Sequence, residues 1–141
     1  PLRESLEKQA EDLGIKPRVR FLGWREDTAE LFAACDLFVC PSRHEPLGNV
    51  VLEAWAQGVP VIAADSMGPG TLIDHMDSGI LVPVDDSDAL ARAIRAVIDD
   101  YELAEHIANR GSAVYEENFT EGQVVKRYLD FFQSIVINRE N

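Results

Sequence analysis

The chain has 141 residues, of which 13 are basic and 25 acidic, so its formal net charge at pH 7 is −12. One domain with a real hydrophobic core fits this length, and 46% apolar and 27% charged residues are typical of a globular protein. The acidic balance excludes nucleic acid and anionic lipid as partners of the whole domain, although a helix start can still hold one small anion. We find no apolar run near the ~18–20 residues of a transmembrane helix and no signal peptide, so we expect a soluble domain.

The cysteines indicate the redox compartment of the chain, and the first residue bears on whether the chain is part of a longer protein. Cys35 and Cys40 flank an apolar run without a metal-binding pattern, so we interpret them as buried, reduced thiols in a reducing compartment. Pro1, rather than methionine, leads directly into a helical pattern. We therefore expect the chain to be a piece of a longer protein.

The predicted elements alternate between helices and short apolar strands. A helix over residues 2–13 opens the chain, and Gly14 is its predicted C-cap. Strands are predicted in "VRFLGW" (from Val19 to Gly23), "DLFVCPS" (36–42), "PVIAAD" (60–65) and "GILVPV" (79–84). Further helices are predicted over 26–35, 48–57, 86–100, about 102–118, and 123–138. Ser87 or Asp86 should cap the helix over 86–100, and the apolar cluster of the last helix should pack on a neighbour. This alternation predicts a single α/β domain over residues 1–141, with a parallel sheet flanked by helices.

The stretch "PSRHEPLGNVVLEAWAQGVPV", which begins at residue 41, combines a strand end, a loop and a helix. That order presents free backbone N–H groups at the carboxyl end of a strand, where open α/β sheets bind ligands. Pro46 stiffens the entry and Gly48 removes a side chain, so we predict that the N–H groups of Leu47, Gly48, Asn49 and Val50 can hold a phosphate. The glycine pattern is neither that of a dinucleotide fold nor that of a P-loop.

Two carboxylates accompany this helix start. Asn49, Glu53 and Gln57 share one helical stripe, which either faces solvent or lets Glu53 reach back toward the loop's ligand. Glu45 is either an exposed loop acid or a second ligand-binding group. A carboxylate repels phosphate but accepts hydrogen bonds from hydroxyls, so the combination suggests a nucleotide joined to a polyol.

The segment "PSRHEPLGNVVLEAWAQGVPVIA" resembles the donor-binding domain of the retaining GT-B glycosyltransferases of family four, or group one, whose hallmark is two glutamates with seven residues between them. "VRFLGW", "LFAACDLFVCPS", "GILVPVDDSDALARAIRAVIDD" and the terminal helices follow in the order of that domain. The chain is most similar to bacterial lipopolysaccharide-core or capsule enzymes. The resemblance implies a Rossmann-like domain that is the N-terminally truncated C-terminal half of a GT-B enzyme.

The resemblance also implies roles for individual residues. Glu45 matches the glutamate against the donor sugar, the candidate catalytic residue, and Glu53 matches the glutamate that binds ribose. Leu47, Gly48, Asn49 and Val50 match the helix start at the sugar and diphosphate. Gly23 and Trp24 match a segment near the nucleobase, where Trp24 either stacks on the base or is an ordinary half-buried aromatic.

The implied donor is a UDP-, GDP- or ADP-sugar, transferred with retention and without a metal. An Asp-x-Asp pair is absent near the loop, and we interpret Asp85 and Asp86 as capping or solvated charges. The chain departs from the family at Thr71, where an acid is usual. We also expect the family's first strand, helix and second strand, with their arginine and lysine for the diphosphate, and its N-terminal acceptor domain to lie outside this chain.

We therefore expect the isolated chain to be inactive, and its last helix to permit self-association. The parent is expected to transfer sugar to a saccharide or lipid-linked acceptor in bacterial lipopolysaccharide or polysaccharide synthesis. It would do so in the cytoplasm, with possible peripheral contact to the inner membrane through the missing domain. The alternatives are a non-catalytic nucleotide-binding or protein-interaction module on the same fold and, more weakly, phosphate-dependent cleavage of a glycoside.

Overall fold

The structure, a computed structural model, describes residues 2–137. A three-stranded parallel sheet in the order β1-β2-β3 is flanked by helices. The strands are β1 (Phe38–Cys40), β2 (Val61–Ala64) and β3 (Ile80–Val82). The helices are α1 (Arg3–Asp12), α2 (Thr28–Ala33), α3 (Asn49–Ala56), α4 (Met67–Leu72), α5 (Ser87–Asp99), α6 (Tyr101–Asn118) and α7 (Glu121–Ile137), with a 3₁₀ turn at Lys16–Arg18. The predicted α/β fold with a parallel sheet is confirmed.

The core lies on both faces of the central strand. Every residue of β2 is buried, which explains why this strand reads as a continuous apolar run. One cluster packs around Trp55 of α3, and the other around Ile107 of α6; both side chains are inaccessible to solvent. The Trp55 indole N–H donates to the Ser78 carbonyl at 3.1 Å, which ties α3 to the loop before β3. The sheet is thus held between helices on two sides.

Helix ends follow the predicted capping chemistry. Gly14 has a φ of +68°, and its N–H donates to Glu11 while that of Ile15 donates to Ala10, which is a Schellman ending for α1. Asp86 caps α5 by accepting from the Ala89 N–H at 2.7 Å. The predicted caps at Gly14 and Asp86 are therefore confirmed.

The predicted strand over 19–23 is wrong. Within the described residues, this segment forms no strand and pairs with no strand, and three strands are present rather than four. A strand needs a partner for its backbone groups, and apolar pattern alone does not supply one. Conversely, α4 forms in the glycine- and proline-containing segment 67–72, where no helix was predicted. Its proline at position 69 lies in the first turn, where a missing N–H costs little.

Two exposure predictions also differ from the structure. Cys40 is buried but Cys35 is exposed, so only the former is the predicted buried thiol. The apolar residues of α7 do not pack as expected within the described chain. Several remain exposed: Val125, Tyr128, Leu129, Phe131, Phe132, Ile135 and Val136. The predicted helix end at Asn138 lies outside the described residues. No helix among residues 2–137 has the length and apolarity needed to cross a bilayer.

Candidate functional site

The loop after β1 and the start of α3 lie at the carboxyl edge of the parallel sheet. The loop crosses toward the segment after β2, and the Gly68 N–H donates to the Glu45 carbonyl at 2.7 Å. Two successive strand ends are thereby joined by a backbone hydrogen bond. This edge is where open α/β sheets place ligands.

Two glycines make the close approach of these segments possible. Gly48 has a φ of +73°, and a Cβ there would lie 2.7 Å from Leu72 Cδ1. A Cβ on Gly68 would lie 2.4 Å from the Gly48 nitrogen and 2.6 Å from the Glu45 carbonyl oxygen. Those distances are below any real carbon contact to backbone, so Gly68 must lack a side chain. Sequence reasoning missed Gly68, although its short "GPG" run marks a position of close backbone approach.

The first turn of α3 has N–H groups to offer a ligand. Gly48 is the N-cap and has no side chain, so no side-chain cap exists. Its own N–H donates to Glu45 Oε1 at 3.2 Å, and the Val51 N–H donates to the Gly48 carbonyl at 2.9 Å. Within residues 2–137, the N–H groups of Asn49 and Val50 have no acceptor. With the helix dipole, these two groups favour an anion.

The predicted donors at the helix start thus fall into two sets. The Gly48 N–H is occupied by Glu45 in this structure, whereas Asn49 and Val50 present free groups. Leu47 is 70% exposed at the tip of the loop. Glu45 is half-buried, so its carboxylate lies against the helix start instead of projecting into solvent.

Glu53 lies in an open pocket of about 310 Å³ between α2 and α3. Asn49, Glu53 and Gln57 all line this pocket, which confirms that the three share one face. Phe32, Leu52 and Tyr115 contribute apolar and aromatic surface to the same pocket. The polar stripe is exposed, but it faces a concave surface rather than open solvent. A carboxylate in such a place can accept hydrogen bonds from ligand hydroxyls.

The remaining predicted positions lie outside these contacts. Gly23, with a φ of +71°, and Trp24, which is 92% exposed, belong to the segment that leads into α2. The interpretation of Trp24 as a half-buried aromatic is therefore wrong. Arg25 and Asp27 form an ion pair next to them, and the Arg25 guanidinium lowers the pKa of the Asp27 carboxyl. Thr71 lies on α4, where its hydroxyl donates to the Met67 carbonyl at 2.8 Å.

Comparison with known proteins identifies the family. The sequence profile described as "Glycosyl transferases group 1" matches residues 1–114. The chain belongs to the group 1 glycosyl transferases. A relative, the lipopolysaccharide core biosynthesis glycosyltransferase LpsE of Rhizobium meliloti, is 42% identical over 132 residues. LpsD from the same organism, with the same description, is 40% identical over 139 residues.

Similar solved structures support the fold. HepE from Anabaena in complex with UDP superposes with a TM-score of 0.88 at 34% identity, covering 93% of this chain and 36% of that one. The C-terminal domain of the group 1 protein LpcC from Francisella tularensis gives 0.77 at 27% identity, covering 85% and 63%. The match to LpsE includes 94% of this chain but only 39% of LpsE, and the match to LpsD includes 99% of this chain but only 40% of LpsD. It therefore corresponds to one part of a GT-B glycosyltransferase.

Proposed function

We propose that this chain is the donor-binding domain of a retaining glycosyltransferase that uses a nucleotide-diphosphate sugar in bacterial lipopolysaccharide or polysaccharide synthesis. The observation that carries the proposal is the start of α3, which has no side-chain cap and is accompanied by two carboxylates, Glu45 in the preceding loop and Glu53 one turn along the helix. UDP and UDP-glucose bound to HepE support the donor class.

Each group has a role in this proposal. The free N–H groups of Asn49 and Val50 receive the diphosphate, because backbone donors and the helix dipole stabilise its charge. Glu53 accepts hydrogen bonds from the ribose hydroxyls in the pocket beside α2. Glu45 contacts the donor sugar and is the proposed catalytic residue. Gly23 and Trp24, in the segment before α2, lie near the nucleobase.

The reaction places the largest charge change at this helix start. The bond between the anomeric carbon and the diphosphate oxygen breaks, and its electron pair leaves on the diphosphate. The acceptor hydroxyl oxygen forms the new bond on the same face of the sugar, and its proton passes to the diphosphate. Stabilising the departing charge accelerates this step more than binding the ground state does. We propose that backbone N–H groups, with basic residues from the rest of the parent, do so without a divalent metal.

The test uses the longer parent protein, purified with its acceptor domain, and calorimetry with UDP-, GDP- and ADP-sugars. Glu53→Gln should weaken the preferred nucleotide by about 10- to 100-fold, as expected for lost hydrogen bonds to a charged group. Glu45→Gln should lower transfer by roughly 100-fold or more while nucleotide affinity stays near wild type. Glu116→Gln, an exposed acid on α6, is the matched control.

Three outcomes would contradict the proposal. Unchanged transfer by Glu45→Gln would remove its catalytic role. Nucleotide binding without transfer by the wild-type parent would favour the non-catalytic module. Loss of transfer after EDTA treatment, with recovery on adding Mg²⁺ or Mn²⁺, would overturn the metal-independent scheme.

The setting of the parent is also a proposal. Both cysteines are free, as expected in a reducing cytoplasm, and contact with the inner membrane would come through another domain. The exposed apolar face of α7 is proposed to pack on the acceptor domain. The isolated chain should then self-associate and lack transfer activity. Sedimentation analysis of the isolated chain and of the parent tests this, because only the isolated chain should show concentration-dependent association.

A further inference from the structure

A second pocket lies at the carboxyl edge of the sheet, beside the loop that carries Glu45. It has a volume of about 290 Å³ and spans the ends of all three strands. The loop after β1 provides Pro41 and Arg43, β2 provides Ala64 at its end, and the segment from β3 into α5 provides the opposite wall. The pocket shares no lining residue with the one that contains Glu53.

An ion pair crosses this pocket. Arg43 Nε donates to Asp85 Oδ1 at 2.5 Å, and both side chains are largely exposed, at 72% and 59%. Within residues 2–137, the Arg43 side chain forms this one hydrogen bond, so the N–H groups of its two terminal nitrogens are free to donate. Asp85 Oδ2 likewise retains its lone pairs. Both residues line the pocket, so the pair offers donors and acceptors side by side to a molecule bound there.

The other lining residues suit the faces of a sugar ring. Ala64, Val82 and Leu90 are apolar, and Pro41 and Pro83 add apolar rings. A pyranose has apolar C–H faces and a rim of hydroxyls that both donate and accept hydrogen bonds. An apolar floor with one guanidinium and one carboxylate at its rim matches both parts.

The charges in the pocket favour a neutral ligand over an anionic one. Arg43 contributes one positive charge, whereas Asp85 and Asp86 contribute two negative charges. The start of α5 offsets part of this excess, but Asp86 already caps that helix through the Ala89 N–H. A phosphate or a uronate would meet a carboxylate beside the guanidinium. A neutral hexose would not.

We propose that this pocket, defined by Arg43 and Asp85, is a subsite for one neutral monosaccharide unit of the acceptor. Its volume lies near the lower end of the roughly 300–1,000 Å³ of small-molecule sites, which favours one ring over a disaccharide. Arg43 stands two positions before Glu45 in the same loop, so the subsite borders the proposed donor sugar position. The assignment to the acceptor rests on the proposed function.

The test uses the full-length parent saturated with UDP, and saturation-transfer difference NMR with three neutral probes and one anionic probe. The neutral probes are the methyl α-glycosides of glucose, galactose and mannose, and the anionic probe is methyl α-glucuronide. At least one neutral glycoside should bind more tightly than the glucuronide. Arg43→Gln and Asp85→Asn should each weaken that glycoside by about tenfold, as expected for one lost charged hydrogen bond. Arg95→Gln, an exposed arginine on α5, should bind as wild type.

Calorimetry with UDP separates failure of the subsite from failure of the proposed function. Both variants should bind UDP as tightly as wild type and melt at the same temperature, within a few degrees. If wild-type parent does not bind UDP, the donor role fails. If UDP binds but the glycoside signal is absent, unaffected by both variants, or stronger for the glucuronide, the subsite is overturned. If Glu45→Gln abolishes the glycoside signal and Arg43→Gln does not change it, the glycoside binds in the donor sugar position. That result would also overturn the subsite.

Discussion

Substitution of Gly48 by alanine should disturb the start of α3 more than substitution of Gly58 by alanine disturbs its end. Both glycines flank the same helix, with φ values of +73° and +68°. Alanine in this left-handed region costs about 1–2 kcal/mol at either position. Their surroundings differ, however, because a Cβ on Gly58 meets nothing within 4 Å, whereas one on Gly48 lies 2.7 Å from Leu72 Cδ1 and 3.3 Å from the Gly68 carbonyl carbon.

The expected losses of stability can be estimated from these contacts. Gly58→Ala should lose only the conformational cost, about 1–2 kcal/mol. Gly48→Ala should lose the same amount plus about 0.5–1.5 kcal/mol for moving the Leu72 side chain off its rotamer. The extra loss is small, because the closest atom is the end of a flexible side chain. Urea denaturation of the 141-residue chain measures both values.

Ligand binding should separate the two variants more clearly than stability does. Even after Leu72 moves, the new Cβ of Gly48→Ala would lie 3.3 Å from the backbone at Gly68 and Pro69, so the start of α3 must shift by a few tenths of an ångström. The N–H groups of Asn49 and Val50 shift with it. We expect UDP affinity of the parent to fall by about tenfold or more, equivalent to about 1.4 kcal/mol. Gly58→Ala leaves this end of the helix in place and should bind UDP as wild type. Equal loss of UDP affinity in both variants, or wild-type affinity in Gly48→Ala, would refute the placement of the diphosphate at this helix start.

Two further predictions concern stability. Gly111→Ala should destabilise the chain by about 1–3 kcal/mol, because its Cβ would lie 2.3 Å from the buried Trp55 Nε1 and overpacking outweighs the ~1 kcal/mol gain in helix propensity. Gly122→Ala, whose Cβ would have no neighbour within 4 Å, should be neutral or stabilising in the same urea assay. Equal effects of the two substitutions would contradict this prediction. The Arg110 guanidinium lies 3.0 Å from the Asp77 carboxylate and lowers the pKa of Asp77 below its usual value. The ion pair therefore stabilises the fold at pH values above the unfolded pKa of Asp77, and this stabilisation is lost as the pH falls through the lower folded pKa. Asp77→Asn should therefore unfold more easily than wild type at pH 7 but not at pH 2, and a difference that persists at pH 2 would assign the effect to another cause.

The parts of this site that sequence reasoning predicted are local in the chain. Glu45 and Gly48 are three residues apart, and Asn49, Glu53 and Gln57 recur at helical spacing, so their relative positions follow from one loop and one helix. The parallel sheet follows from alternating apolar strands and amphipathic helices. These features need no knowledge of distant contacts.

The parts that were missed or wrong depend on contacts between segments far apart in sequence. Gly68 is required because its backbone meets the loop at Glu45, and no local pattern contains that contact. The segment 19–23 has the composition of a strand, but strand formation needs a partner, and none is present among the described residues. Trp24 has a large apolar side chain, yet it is 92% exposed because no element among residues 2–137 covers it.

The hydrogen bond between Glu45 and Gly48 should break when a donor binds. Glu45 Oε1 now accepts the Gly48 N–H at 3.2 Å, next to the free N–H groups of the first turn. A diphosphate in that turn would place negative charge beside the carboxylate, and the repulsion would outweigh one long hydrogen bond. The hydroxyls of the donor sugar offer the carboxylate replacement partners. Binding should therefore transfer Glu45 from the helix start to the sugar and release a third N–H group to the phosphate. A crystal structure of the parent with an intact nucleotide sugar should show Glu45 accepting from a sugar hydroxyl and the Gly48 N–H turned to the diphosphate. A Glu45–Gly48 bond that persists in that complex would contradict the proposed role of Glu45.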